Sequence, residues 1–134
     1  MTDSRRKGRA GEQELARLLR DELGAAITRN WQQQAAVGGQ DLLGLDGYAV
    51  EVKRYATATF ADLERWWRQA VAQAPRGAVP VLAWRCDRCP WRFLVPGDAR
   101  QSFAMAHEMS LAAFVQLVRR RQRRAESTTP RARA

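Results

Sequence analysis

The stretch from Gly38 to Lys53 constrains this chain most. Asp46-Gly47 is a tight-turn pair. The run after it, Tyr48-Ala49-Val50-Glu51-Val52-Lys53-Arg54, alternates apolar and polar residues as a half-buried strand does. Asp41-Leu42-Leu43-Gly44-Leu45, before the turn, is the predicted partner strand, so the two read as a hairpin. Residues two apart on a strand point the same way. Glu51 and Lys53 therefore share one face, while Val50 and Val52 share the other and can enter a core. The turn carries the start of the first strand, Asp41, back towards that pair.

The flanking segments supply the rest of a small α/β domain. Gly8 to Leu23 reads as a helix, with Leu15, Leu18, Leu19 and Leu23 at helical spacing and Gly24 as its stop. Residues 25–29 form a short apolar strand, and residues 30–40, polar and ending in Gly38-Gly39-Gln40, read as a mobile loop. Thr59 to Ala74 is a second helix, closed by Pro75, Arg76 and Gly77. Val79–Trp84 and Trp91–Val95 are strands. Ser110 caps a last helix through about Arg124, with Leu111, Phe114, Val115 and Val118 as its buried stripe. The expected organisation is one domain over 1–124, with a helix at 8–23, a core at 25–95 and a C-terminal helical extension at 96–124. Residues 125–134 read as a disordered basic tail.

A chain of 134 residues, 46% hydrophobic and 28% charged, has the balance of one globular domain. No apolar run is long enough to span a bilayer, and no secretory signal is readable. The expectation is a soluble, cytoplasmic protein, bacterial or phage-encoded. The net charge of +9 is concentrated at the two ends. Residues 1–9 carry Arg5, Arg6, Lys7 and Arg9 against Asp3, and residues 119–134 carry seven arginines against Glu126. The 12 basic and 12 acidic residues between them cancel. Basic arms on a neutral body suit a polyanion such as DNA, although a solvated arginine-rich tail has the same composition. With 21 arginines and 2 lysines, the chain uses arginine where charge alone is needed. Lys53, inside the alternating strand, is therefore singled out.

Two carboxylates and an ammonium at one sheet edge suit phosphodiester hydrolysis. Asp41 and Glu51 offer oxygen ligands to a hard divalent cation, Mg²⁺ above all. Such an ion lowers the pKa of a bound water and stabilises charge on the phosphorane. A neighbouring lysine can orient the attacking water or stabilise developing negative charge. The same residues also fit a surface hairpin with a routine cross-strand ion pair. Glu12, three residues before Leu15 on the first helix, lies at the border of that helix's apolar stripe. Glu14 reads as a solvated partner for a nearby arginine.

These residues resemble the PD-(D/E)xK nuclease core, with Asp41, Glu51 and Lys53 at the motif positions and Gly39-Gln40 where the motif name has proline. Within that superfamily the chain is most similar to archaeal-type Holliday junction resolvases and their phage and bacterial relatives. Arg6-Lys7-Gly8 followed by Glu12-Gln13-Glu14-Leu15 resembles that family's opening and its helix-borne glutamate. Arg29 resembles a basic residue at the end of its first strand, and 79–84 with 91–95 resemble its closing strands.

The resemblance implies a restriction-endonuclease-like α/β core, a central mixed β-sheet flanked by helices. It also implies metal ligation by Asp41, Glu51 and the Val52 carbonyl, with Mg²⁺ as cofactor and Mn²⁺ able to substitute. Lys53 becomes the catalytic lysine, and Glu12 completes the acidic site. Arg5, Arg6, Lys7 and Arg29 become phosphate contacts. The implied protein is a homodimeric endonuclease that cuts four-way DNA junctions in recombination and repair. The alternatives are a DNA-binding protein of the same fold that does not cut, and a repair or restriction-like nuclease acting on duplex DNA.

Other features carry less. Cys86-Asp87-Arg88-Cys89 lacks the second ligand pair a structural zinc site needs and reads as a hairpin tip. His107, the single histidine, has no nucleophile at a recognisable spacing and reads as a surface residue on or near the last helix. Trp66 and Trp67 are adjacent on a helix, so one of them is expected to be partly exposed as a dimer contact or a base-stacking surface. Gln69, on the same helix, is expected to face the metal site.

Overall fold

The computed structural model describes residues 2–24, 26–30 and 40–128. The chain runs α1 (Thr2–Leu23), β1 (Thr28–Arg29), β2 (Leu42–Leu43), β3 (Tyr48–Tyr55), α2 (Phe60–Gln73), β4 (Val79–Cys86), β5 (Arg92–Val95), β6 (His107–Ser110) and α3 (Leu111–Thr128). Strands β3, β4, β5 and β6 form one mixed sheet in that order. β3 and β4 are parallel, joined through α2, and the remaining pairs are antiparallel. The architecture is α/β, a mixed sheet flanked by three helices.

Alternation along the strands divides the core. Val50 and Val52 lie beside Val81 and Ala83 and join Leu15, Leu19, Phe93, Phe114 and Val118 under α1 and α3. Phe114 stacks on Phe93 at 4.5 Å between ring centroids and meets Tyr48 edge-on at 5.8 Å. On the other face Leu82 and Leu94 pack with Trp66, Trp67 and Ala70 of α2. Glu51 is registered with Leu82 and Lys53 with Trp84, so both side chains take the α2 face, as the period-two pattern requires.

Local chemistry sets the ends. Thr59 and Asp62 form a capping box at the start of α2. The Ser110 hydroxyl accepts from the Ala113 amide at the start of α3. The Gly24 amide closes α1 onto the Arg20 carbonyl. Gly47, at φ +82°, makes the turn before β3.

Several expectations are corrected. α1 begins at Thr2, so the N-terminal basic residues ride on a helix instead of a free arm. The expected partner of β3 shrinks to Leu42–Leu43 and ladders with β1. It forms no ladder with β3, and the Asp41 amide, just before it, donates to the Val50 carbonyl at 2.8 Å. Two residues suffice there because the chain is needed only to deliver Asp41. The supposed helical extension contains a strand, β6, which covers the edge of β5 and carries His107. Its sequence, His-Glu-Met-Ser, lacks apolar alternation because it is an exposed edge strand. The last helix continues to Thr128, so residues 125–128 of the expected tail are helical. Residues 31–39 of the expected loop and 129–134 of the tail lie outside the described residues.

Trp66 and Trp67 are both buried, at 5% and 1% exposure. α2 is covered from two directions, which a single apolar stripe does not reveal. Tyr55 stacks on Trp66 at 4.9 Å, and the Trp67 indole N–H donates to the Gln101 carbonyl at 2.8 Å.

Candidate active site

The first helix is fastened against β3 and β4 by three contacts. Gly11 allows close approach: a Cβ there would lie 2.7 Å from the Cβ of Arg54. Lys7 and Arg54 both bond Asp87, in the turn after β4. Glu14 accepts from Arg85 and from the Trp91 indole N–H. Glu14 thus pairs with an arginine, as the sequence suggests, and in addition anchors α1 to the Trp91 indole while staying only half-buried. This docking carries Glu12 towards β3.

A cavity of about 250 Å³ results, lined by Glu12, Asp41, Glu51, Lys53 and Gln69 among others. The carboxylate-and-lysine constellation expected from the sequence is therefore assembled in one place, and Gln69 faces it from α2. Arg54 and Tyr55 also line it, and sequence reasoning assigned them no role. Their adjacency to Lys53 was the available signal.

Asp41 is 3% exposed, and its Oδ2 accepts the Val52 amide at 2.7 Å. This bond fixes the carboxylate against β3, replacing the missing ladder contact. Glu51 is 4% exposed. Its Oε1 lies 3.5 Å from the Lys53 ammonium, while its buried Oε2 has no hydrogen-bond partner among the described residues. Burial first, and then the charge of Asp41, push the Glu51 carboxyl up to about 8, against the pull of Lys53. Glu12 bonds the Arg29 guanidinium at 2.6 Å. Burial raises its carboxyl above the ordinary range, and the Arg29 bond offsets part of that effect.

Two carboxyl groups facing each other in a buried site are compatible only through a proton or a cation. The orphaned Glu51 oxygen and an all-oxygen donor set fit a hard divalent ion. Among the described residues, no three His, Cys, Asp or Glu side chains are gathered as a complete ion-holding cluster. Glu12, the third acid of the cavity, is engaged by Arg29. Asp41, Glu51 and a backbone carbonyl are then the donors at hand, with water completing a coordination shell.

The expected phosphate contacts divide. Arg29 reaches the cavity by way of Glu12, whereas Lys7 is directed to Asp87 at the β4–β5 turn. Arg6 is exposed on α1, and the side chain of Arg5 lies outside the described residues. Cys86 and Cys89 are free thiols flanking that same turn. Among the described residues no helix is long and apolar enough to cross a membrane.

Among curated proteins, none matches this chain. Among solved structures, a Holliday junction resolvase of the archaeal hyperthermophile Archaeoglobus fulgidus aligns at 19% identity and a TM-score of 0.48. That alignment covers 83% of this chain and 99% of the other. A family model described as "Phage putative PDDEXK endonuclease" matches residues 3–129, nearly the whole chain. With its two buried carboxylates and lysine in the order that family name spells, the chain belongs to this PDDEXK endonuclease family, and so to the nuclease hydrolases.

Proposed function

We propose that the protein is a divalent-metal-dependent, structure-selective DNA endonuclease, most simply a Holliday junction resolvase acting as a homodimer. The observation that carries the reading is the buried Asp41–Glu51 pair beside Lys53, with one Glu51 oxygen left without a hydrogen-bond partner among the described residues. The carboxylates of a surface hairpin would not be only 3–4% exposed. A protein that only bound DNA would be weakened by acids turned towards phosphates.

Asp41, Glu51 and the Val52 carbonyl would hold Mg²⁺, for which Mn²⁺ could substitute. When bound, the ion supplies an activated water and neutralises charge at the scissile phosphate. Lys53, which lines the same cavity, would stabilise the negative charge developing on a phosphate bound there. Its bond to Glu51 keeps the ammonium aimed along the cavity. Glu12 and Arg29 act as a pair. Arg29 offers charge to a phosphate, and Glu12 holds the guanidinium in place and completes the acidic wall. Gln69 can position water by hydrogen bonding from α2. Arg5, Arg6 and Lys7 extend the basic surface along α1. In this reading the domain proper extends past residue 124 to the end of α3 at Thr128.

The test is an end-labelled four-way junction beside a linear duplex of matching sequence, each with Mg²⁺ and with EDTA. Paired symmetric nicks confined to the junction, lost with EDTA and in Asp41→Asn, are the expected result. Lys53→Ala should abolish cutting while junction affinity stays within a few-fold. Cutting of both substrates removes the junction assignment, and tight binding without cutting in Mg²⁺ or Mn²⁺ removes the enzyme.

A further inference from the structure

A second cleft, of about 560 Å³, lies away from the catalytic cavity, at the opposite end of β3 and under α3. Its floor is apolar, built by Val79, Met109 and Leu117, and its rim carries Arg120, Arg121 and Arg124. The Arg121 guanidinium rests 4.9 Å above the Tyr48 ring, an arrangement that orients it without neutralising it. Arg123 adds a fourth cation on the adjoining surface, beside Arg120 and Arg124.

Arg29, Arg54, Arg65, Arg68, Arg85 and Arg92 each pair with a carboxylate. Among the described residues, Arg120, Arg121, Arg123 and Arg124 pair with none. Being unpaired is not peculiar to these arginines, since Arg17, Arg76, Arg88 and Arg100 are in no ion pair among the described residues either; what sets the α3 arginines apart is that they are gathered at one place. Unneutralised cations gathered at a cleft repel one another, and a bound polyanion relieves that repulsion.

The floor narrows the choice of polyanion. Duplex DNA presents phosphates to a cationic ridge and keeps its base faces stacked inside, so it gives an apolar floor nothing to cover. A single strand presents both phosphates and base faces. We infer that this cleft seats an unpaired nucleotide of a DNA strand, its phosphates on Arg120, Arg121 and Arg124 and its base on Val79, Met109 and Leu117. The inference rests on the nuclease reading for its choice of DNA and adds a preference for substrates with unpaired nucleotides. The seat does not share the catalytic cavity: Tyr48 and Glu51 are three residues apart on β3, roughly 10 Å, and on opposite faces.

The test is fluorescence anisotropy in EDTA with a labelled single-stranded oligonucleotide and a blunt duplex of the same sequence. The intact chain is compared with the double variant Arg120→Ser, Arg124→Ser and with Met109→Glu and Met109→Gln. All four are first compared by thermal melting. The rim variant should lose about tenfold in single-strand affinity, and its log–log salt slope should fall by about 1.4, two phosphates' worth. Met109→Glu should weaken single-strand binding more than duplex binding, because its charge opposes phosphates in both while its polarity spoils the floor only for a base. Met109→Gln, which adds no charge and also serves should Met109→Glu fail to fold, should weaken single-strand binding and leave duplex binding unchanged. Single-strand binding unchanged in the rim variant overturns the inference. So does equal loss for single strand and duplex in either floor variant, which would mark a plain duplex-binding ridge. Cleavage by the unaltered protein in Mg²⁺ reads the nuclease assignment separately. A protein that cuts while its rim variant binds single strands undiminished keeps the enzyme and loses the cleft.

Discussion

Replacing Glu51 by Gln should stabilise the metal-free protein at alkaline pH and leave it nearly unchanged in acid. The Glu51 carboxyl stands at about 8 in the folded chain against an ordinary 4.5. Between those values the folded state holds a proton that the unfolded chain has released. Stability is therefore full below about pH 4.5 and is lost as pH rises through about 8. A gap of about 3.5 pH units at 1.36 kcal/mol each sets a ceiling of about 5 kcal/mol above pH 8, and about 3 kcal/mol at pH 7. Glutamine keeps the shape and cannot ionise, so Glu51→Gln lacks this loss. Urea unfolding of both proteins in EDTA at pH 5, 7 and 8.5 measures it. The difference should widen by several kcal/mol, on the order of 3–4, in favour of the variant as pH rises. A bound divalent ion should reverse the sign for the natural protein, because the ion replaces the proton. Mg²⁺ affinity should climb by up to about tenfold per pH unit from 5 to 8 and then flatten. Parallel stability curves, or metal affinity independent of pH, would refute the claim that burial beside Asp41 governs this carboxyl.

Two further predictions concern how the site is held. Gly11→Ala puts a methyl 2.7 Å from the Arg54 Cβ, so α1 must retreat and take Glu12 with it. Strain of about 1–3 kcal/mol outweighs a helix-propensity gain of about 1, giving a net loss near 1 kcal/mol in denaturant and a lower cleavage rate; unchanged stability would show that the helix is not tightly docked. Trp67→Ala empties the core beneath α2 and removes the bond to the Gln101 carbonyl, so calorimetry should show a loss of about 3–5 kcal/mol. A loss below about 1 kcal/mol would mean that α2 is held by other contacts.

Much of this protein was readable without coordinates because its chemistry lies on a strand of strict alternation. Period two placed Val50 and Val52 inward and put Glu51 with Lys53, and the Asp46-Gly47 turn returned Asp41 to them. Helices α1 and α2 announced themselves by apolar spacing, by a glycine stop after the first and by Pro75-Arg76-Gly77 after the second. What escaped was everything set by contact between distant segments. Strand β6 has no pattern of its own and exists because β5 has an open edge. Trp66 and Trp67 are both buried because Tyr55 and the segment around Gln101 close over α2 from two sides. Lys7 turns to Asp87, and Arg29 to Glu12, because α1 docks where Gly11 lets it approach.

By itself, then, the sequence determined that Glu51 and Lys53 share one face of a strand and that a tight turn separates them from Asp41, because alternation and turn chemistry are local properties of the chain. Only the tertiary structure decided how deeply Asp41 and Glu51 are buried, which cations they and Glu12 face, and where α3 gathers its arginines into a cleft. Burial and charge pairing are sums over neighbours brought together by packing, and packing joins residues as far apart in the chain as Glu22 and Arg119.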